Sequence, residues 1–255
     1  MSDTVPDLSI VVPCFNEEGN LDELTGRLKG VLDLLRLRGE IVLVDDGSRD
    51  GTRAVIERLA RGHPEVRGVF HERNQGIVAG WKSGCAAARG RFVLTTDADL
   101  QYTPEDLPRL WREMQKGGAE LVQGWRIAHN FKSTTRWLLS ICFSFFLNRL
   151  FGTRLRDIKS GFILYTREAF RESLDHQGPY RYFQHFVTIN AVSKGLRIRQ
   201  VPVIFEQRHA GRSFITSPVL FSLRSLTDLP RAFVEFRLRN RSVRAARALA
   251  ARGGR

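Results

Sequence analysis

The chain has 255 residues, and 42% of them are hydrophobic, enough for a sizeable core and too many for a disordered chain. Lys and Arg number 40 against 27 Asp and Glu, a net charge of +13, so an anionic partner is expected. Three scattered cysteines, Cys14, Cys85 and Cys142, exclude a disulfide framework and a cysteine metal site, and point to a reducing compartment.

The opening residues have no basic or apolar leader pattern, so no secretory signal is expected. Leu8 to Pro13 predicts a buried strand. Asn20 to Leu37 places Leu21, Leu24, Leu28, Val31, Leu32 and Leu35 at helical spacing. A second strand is predicted over Glu40 to Val44, then a helix from Asp50, its N-cap, to Gly62. A third strand follows over Val66 to Phe70, a helix over Gly76 to Ala88 and a fourth strand over Arg91 to Thr96. Pro104 to Lys116 reads as a helix capped by Thr103, and Leu121 to Gln123 as a fifth strand. Strict β/α alternation predicts an α/β fold with a mostly parallel sheet covered by helices on both faces. Ligands in such sheets bind beyond the carboxyl ends of the strands.

The second half is less regular. Residues 133–151 predict an apolar helix, Lys159 to Tyr165 a strand, and Arg167 to Leu174 and Tyr182 to Ser193 helices. Ile198 to Phe205 predicts a strand, and Leu220 to Arg239 a basic amphipathic helix before a tail expected to be partly disordered. The longest apolar stretch, Trp137 to Leu147, contains serines and falls short of the ~20 residues that a membrane span needs. Charge separates the halves: residues 1–125 hold 16 basic and 20 acidic residues, residues 126–255 hold 24 and 7.

Three loops carry chemistry. After strand four, Asp97-Ala98-Asp99-Leu100-Gln101 offers three oxygen ligands that suit Mg²⁺ or Mn²⁺. After strand two, Asp45 and Asp46 stand at a strand end, where a carboxylate can take hydrogen bonds from a base or ribose. After strand one, Phe15 can lie against a base and Glu17 can contact it. Helix capping alone accounts for Asp50 but not for the Asp45–Asp46 pair.

IVVPCFNEEGNL, VDDGSRDGT and TDADLQYTPEDL, in this order, closely resemble the family 2 glycosyltransferases of GT-A fold. The nearest branch is the dolichol- or polyprenol-phosphate mannose or glucose synthases. Asp157-Ile158-Lys159-Ser160-Gly161-Phe162 and the segment from Val201 to Ser213 resemble that branch too, so the likeness covers roughly residues 8–214. The resemblance implies that Pro13, Phe15, Glu17 and Asp45 or Asp46 hold the nucleoside of a nucleotide-diphosphate sugar, with Arg73 and Asp97 also binding the nucleotide. It implies metal ligation by Asp97, Asp99 and Gln101, acceptor-phosphate binding by Arg126, Arg136 and Ser160, and contact of Arg208 with the donor diphosphate. Asp99, Arg126, Ser160 and Arg208 are the catalytic set so implied. Arginine suits phosphate because its planar fork binds two oxygens at once.

The expected division is a GT-A domain over 1–214, with a nucleotide and metal half at 1–125 and an acceptor half at 126–214. Residues 215–255 are expected to form a basic amphipathic extension. The reaction implied is inverting transfer of a hexose to a polyprenyl phosphate. A phosphate monoester is already dianionic at neutral pH, with its second pKa near ~6, and needs no base. A hydroxyl acceptor is the alternative, with His185 as its candidate base. Leu, Phe, Ile and Val beside arginines suggest peripheral binding to the inner, cytoplasmic face of an anionic membrane. A non-catalytic nucleic-acid-binding protein is disfavoured because no nucleic-acid motif is present. A dinucleotide-binding dehydrogenase is disfavoured because no G-x-G-x-x-G follows strand one.

Overall fold

The apolar runs pair as strands because a parallel sheet buried on both faces needs near-continuous hydrophobic sequence. The computed structural model describes residues 5–127, 134–206 and 226–253. Its strands are β1 (Leu8–Cys14), β2 (Gly39–Asp45), β3 (Val66–Phe70), β4 (Phe92–Thr95), β5 (Leu121–Arg126), β6 (Ile163–Thr166) and β7 (Ile198–Val203). They form one seven-stranded sheet in the order β3-β2-β1-β4-β6-β5-β7. β6 runs antiparallel to β4 and β5, and the other neighbours are parallel. The predicted α/β class holds.

Helices α1 (Leu21–Leu35), α2 (Thr52–Gly62), α3 (Ile77–Ala87) and α4 (Leu107–Gln115) connect the first five strands. α5 (Thr134–Phe151), α6 (Arg167–Leu174) and α7 (Val187–Ser193) belong to the second half. Side chains alternate across a strand, so β1 feeds two cores. Ile10 and Val12 belong to the core that holds Leu21, Leu24 and Leu28 of α1, while Val11 belongs to the core that holds Trp81 of α3 and Leu147 of α5. No helix among the described residues is long and apolar enough to cross a membrane.

Several boundaries differ from the sequence reading. α2 starts at Thr52 with Gly51 as its cap residue, and Asp50 sits one place earlier, its Oδ1 accepting from Thr52 N at 3.0 Å. Pro104–Asp106 is a 3-10 turn ahead of α4, and the Thr103 side chain makes no capping bond. The expected strand from Lys159 shortens to Ile163–Thr166, because Ser160 and Gly161 leave the ladder to meet the loop after β4. The helix expected from Tyr182 divides into a 3-10 turn, Phe183–His185, and α7.

The tail is corrected most. A helical run begins at Leu229, passes through a π-helix at Phe233–Arg239 and continues as the C-terminal helix, Asn240–Gly253. It is held by acceptors on its inner side. Asp228 accepts from Arg181 N and Tyr182 N at 3.0 and 2.8 Å. Glu235 accepts from Gln177 N, Gly178 N and the Tyr180 hydroxyl at 2.8, 3.0 and 2.8 Å. Arg247 pairs with Glu172 at 2.8 Å and Glu120 at 3.2 Å. Residues 215–225 of the expected extension lie outside the described residues.

Candidate active site

Parallel strands end together, so the loops after β1, β2, β3 and β4 meet at one edge of the sheet. The first two are tied directly. Glu17 N donates to Thr52 Oγ1 at 2.8 Å, Asn16 N to Ser48 Oγ at 2.9 Å, and Arg49 N to Asn16 Oδ1 at 2.8 Å. Asn16 adopts φ 57°, a left-handed turn that asparagine tolerates. Pro13 and Phe15 are half-buried here, and Glu17 Oε2 accepts from Asn20 Nδ2 at 2.6 Å.

Asp45 and Asp46, both buried, do different work. Asp45 Oδ1 accepts from Ser48 N at 3.0 Å and closes its own turn. Asp46 gathers the loop after β3: Oδ1 lies 2.7 Å from His71 Nδ1 and accepts from Gln75 N at 2.9 Å, and Oδ2 accepts from Gly76 N at 2.7 Å. Arg73 is exposed, and its backbone lies over Gly47. Gly47 has φ +70°, and a Cβ there would stand 2.5 Å from the Arg73 carbonyl carbon, so this turn requires glycine twice over.

The Asp97 loop leaves β4 beside β1, with Thr96 N donating to Val11 O at 3.2 Å. Asp97 is half-buried and Asp99 buried. Asp99 Oδ1 accepts from Gln101 N at 3.1 Å, and Leu100 between them takes φ 59°. Gln101 Nε2 donates to Glu206 O at 3.3 Å, and Glu206 N donates back to Gln101 O at 2.7 Å. By donor chemistry the two carboxylates fit a hard divalent cation. Gln101 fits through its side-chain oxygen, since its amide nitrogen is held by Glu206.

The second half comes to this loop through Gly161. A Cβ on Gly161 would lie 3.5 Å from Asp97 Oδ1. Thr95 Oγ1 donates to Gly161 O at 2.7 Å, and Gly161 N donates to the Tyr102 hydroxyl at 3.3 Å. Tyr102 stacks on Phe162 with ring centroids 5.5 Å apart. Ser160 is buried, and its carbonyl accepts from Gln123 Nε2 at 3.4 Å.

Arg126 closes β5 and grips Asp157 with two bonds, Nε to Oδ2 at 2.6 Å and Nη2 to Oδ1 at 3.0 Å. Its guanidinium lies 5.0 Å from the centre of the Phe205 ring. Burial works against the Asp157 carboxylate, but Arg126 beside it outweighs burial and holds its pKa below the ordinary value. Lys159 stands over Phe143 at 4.4 Å, and burial, then Arg126, push its pKa down to about 8. His185 packs edge-on against the same Phe143, centroids 5.8 Å apart. Burial, then Lys159, push its pKa down to about 3.

The structure therefore brings together Pro13, Phe15, Glu17, Asp45, Asp46 and Arg73 on one side, and Asp97, Asp99, Gln101, Arg126 and Ser160 on the other. Arg136 belongs to α5, but its side chain lies outside the described residues, as does all of Arg208. Asp157, Lys159 and Tyr102 were not assigned roles from sequence. Asp157 had a readable signal, because an arginine at the end of a buried strand needs a counter-ion. Lys159 and Tyr102 had only their places inside recognised motifs.

The sequence model described as glycosyl transferase family 2 matches residues 9–174. The chain is 30% identical over 208 residues to dodecaprenyl-phosphate galacturonate synthase of Rhizobium johnstonii. It is 34% identical over 208 residues to undecaprenyl-phosphate 4-deoxy-4-formamido-L-arabinose transferase of Pseudomonas fluorescens. Both matches cover 81% of this chain, and they cover 61% and 59% of those proteins, so the chain spans about three fifths of the length of these relatives. Among solved structures, glucosyl-3-phosphoglycerate synthase from Mycobacterium tuberculosis, in complex with Mn²⁺, uridine diphosphate and phosphoglyceric acid, matches with a TM-score of 0.68 at 20% identity. That match covers 89% of this chain and 78% of the other, and at this identity it shows the fold, which is the GT-A fold expected. With more than half its length inside the family model, and the aspartate loop at the end of β4, the chain belongs to glycosyl transferase family 2.

Proposed function

We propose that the chain transfers a hexosyl unit from a nucleotide-diphosphate sugar to a polyprenyl phosphate, with inversion and with a divalent cation. The observation that supports this acceptor best is the pair of cations, Arg126 and Lys159. Asp157 holds the Arg126 side chain and accepts from Lys159 N at 3.1 Å, and Lys159 directly precedes the Ser160–Gly161 segment that meets Asp97. The two relatives at 30% and 34% identity are named for transfer to such lipid phosphates.

In this reading Pro13, Phe15, Glu17 and Asp45 hold the nucleoside, while Asp46 and the Arg73 backbone shape the wall of the pocket. Asp97, Asp99 and the Gln101 side-chain oxygen would hold Mg²⁺ or Mn²⁺. A cation so held stabilises negative charge on the departing diphosphate. Arg208 is assigned to the donor diphosphate from its motif. Arg126, Arg136 and Lys159 neutralise the acceptor phosphate, and Ser160 positions it. A dianionic phosphate oxygen then attacks the anomeric carbon in line. The bond from that carbon to the diphosphate oxygen breaks, and the nucleoside diphosphate leaves with the electron pair.

The Lys159 charge gives the acceptor step a pH signature. The ammonium is present below about pH 8 and lost above it. The KM for polyprenyl phosphate is expected to rise as pH passes 8, and Lys159→Arg, which stays charged, is expected to remove that rise. A flat profile in the unaltered enzyme would detach Lys159 from the acceptor.

A hydroxyl acceptor would need a base, and a working general base is worth roughly 10²–10⁴ in rate. His185, with its pKa near 3, is a weak proton acceptor. We expect His185→Gln to keep most of the transfer rate, measured as labelled sugar entering lipid. A loss in the general-base range, with donor binding intact, would favour the hydroxyl reading. Exposed Ile141, Phe145 and Phe146 on α5, with the arginine-rich C-terminal helix, support attachment at the cytoplasmic face of an anionic membrane.

A further inference from the structure

A cavity of about 620 Å³, lined by no residue of the aspartate loop, lies between the end of α5, the end of α7 and the C-terminal helical run. Phe151, Val192 and Phe236 give it an apolar floor, and Arg237, Arg241 and Arg244 stand around it. Among the described residues no acidic one lines it. Arg237 is fixed in place: Nη1 donates to Phe151 O at 3.1 Å, and its guanidinium packs against Gly152. Arg247, one turn beyond Arg244, is paired with Glu172 and Glu120. Among the described residues Arg241 and Arg244 have no such carboxylate.

The surface leading to the cavity is apolar. On α5, Ile141 and Phe145 are four residues apart on one helix face, and Arg149 follows one turn later, before the helix ends at Phe151. Phe145 is 71% exposed, and Ile141 is exposed beside it. On the other wall Leu238 is 50% exposed. Cations around an apolar floor, reached over an apolar stripe, match an anionic amphiphile: a phosphate for the arginines and methylenes for the phenylalanines.

We infer that this cavity is a headgroup site for an anionic phospholipid, by which the chain seats itself on a bilayer. The inference deepens the membrane reading above and rests on it, but it makes no use of the transfer chemistry. Arg237 and Arg244 take the phosphate oxygens, Arg241 guards the mouth, and the first part of an acyl chain lies on Phe151 and Phe236. Ile141 and Phe145 enter the interfacial layer.

The test is vesicle flotation with phosphatidylcholine alone and with added phosphatidylglycerol. At about 1 kcal/mol for each arginine near an anionic surface, Arg241→Ala with Arg244→Ala is expected to lower the partition coefficient roughly 30-fold. Alanine suits an exposed helix position, so the helix should persist. The control is Arg36→Ala with Arg61→Ala, an equal change of charge at two exposed sites in the first half, expected to have far less effect. Equal losses in both double variants, or no preference for phosphatidylglycerol, would overturn the site. A second measurement localises it: monomeric short-chain phosphatidylglycerol is expected to shift the amide resonances of Gly152, Thr153 and Ser193. Shifts elsewhere, or the same shifts with inorganic phosphate alone, would also overturn it. The vesicles contain no sugar donor, so this inference and the transfer reading fail separately. Transfer to a detergent-dispersed short polyprenyl phosphate is expected to survive in Arg241→Ala/Arg244→Ala.

Discussion

Asp99→Ala is expected to cut sugar transfer by about 10²–10³-fold or more, the scale seen when one group that stabilises transition-state charge is removed. Asp99 is buried in the loop after β4, two residues beyond Asp97, whose carboxylate meets Gly161. Its loss removes half of the carboxylate pair and the acceptor for Gln101 N. That hydrogen bond is worth only about 1 kcal/mol net, so the fold should survive. Asp99→Asn separates the two effects. It keeps an oxygen for Gln101 N but loses the charge, and it is expected to be nearly as inactive as the alanine variant. Transfer rate under saturating Mn²⁺, with the denaturation midpoint measured alongside, checks both. An active Asp99→Asn would remove the charge from the argument.

Asp157→Ala is expected to be the most destabilising single change at the site, by about 3–5 kcal/mol, because it leaves the Arg126 guanidinium buried without its counter-ion. Arg126 and Asp157 are 16% and 10% exposed, so little water reaches them. Adding Arg126→Met to Asp157→Ala should recover much of the stability, since an apolar pair can replace a buried ion pair. It should not recover transfer, because the cation would then be missing from the acceptor side. Urea denaturation and a transfer assay on the same three proteins test the two halves of this statement. The pair also predicts a pH effect. The folded-state pKa of Asp157 is lowered, so its stabilisation is complete above the unfolded value near ~4 and is lost as the pH falls below it.

The first half of the fold was legible because each of its strands is a short apolar run and each helix has its own periodicity. Leu8 to Val12 and Ile41 to Val44 could hardly be anything but buried strands. What escaped depends on contacts distant in sequence. Ser160 and Gly161 have strand-like neighbours, but Thr95 and Tyr102 draw them out of the ladder. Arg126 was singled out, whereas its partner Asp157, 31 residues away, was quoted without a role. The tail from Arg237, with seven arginines among Ala and Gly, was expected to be partly disordered. Alanine and arginine are nevertheless good helix formers, and Arg247 finds Glu120 and Glu172 on elements far back in the chain. The Asp45–Asp46 pair was noticed as a pair, and only the structure divides it into a turn-closing residue and a clamp on the loop after β3.

The central claim is transfer to a lipid phosphate, and one assay meets it directly. The purified chain, with Mg²⁺ or Mn²⁺, is given labelled nucleotide sugars one at a time together with a short polyprenyl phosphate. The label entering the organic phase is counted, with Asp99→Ala in parallel. We expect one donor to give extractable label that requires the cation and is lost in Asp99→Ala. A donor that binds with the cation, yet labels no lipid phosphate and does label a hydroxyl acceptor, would contradict the claim.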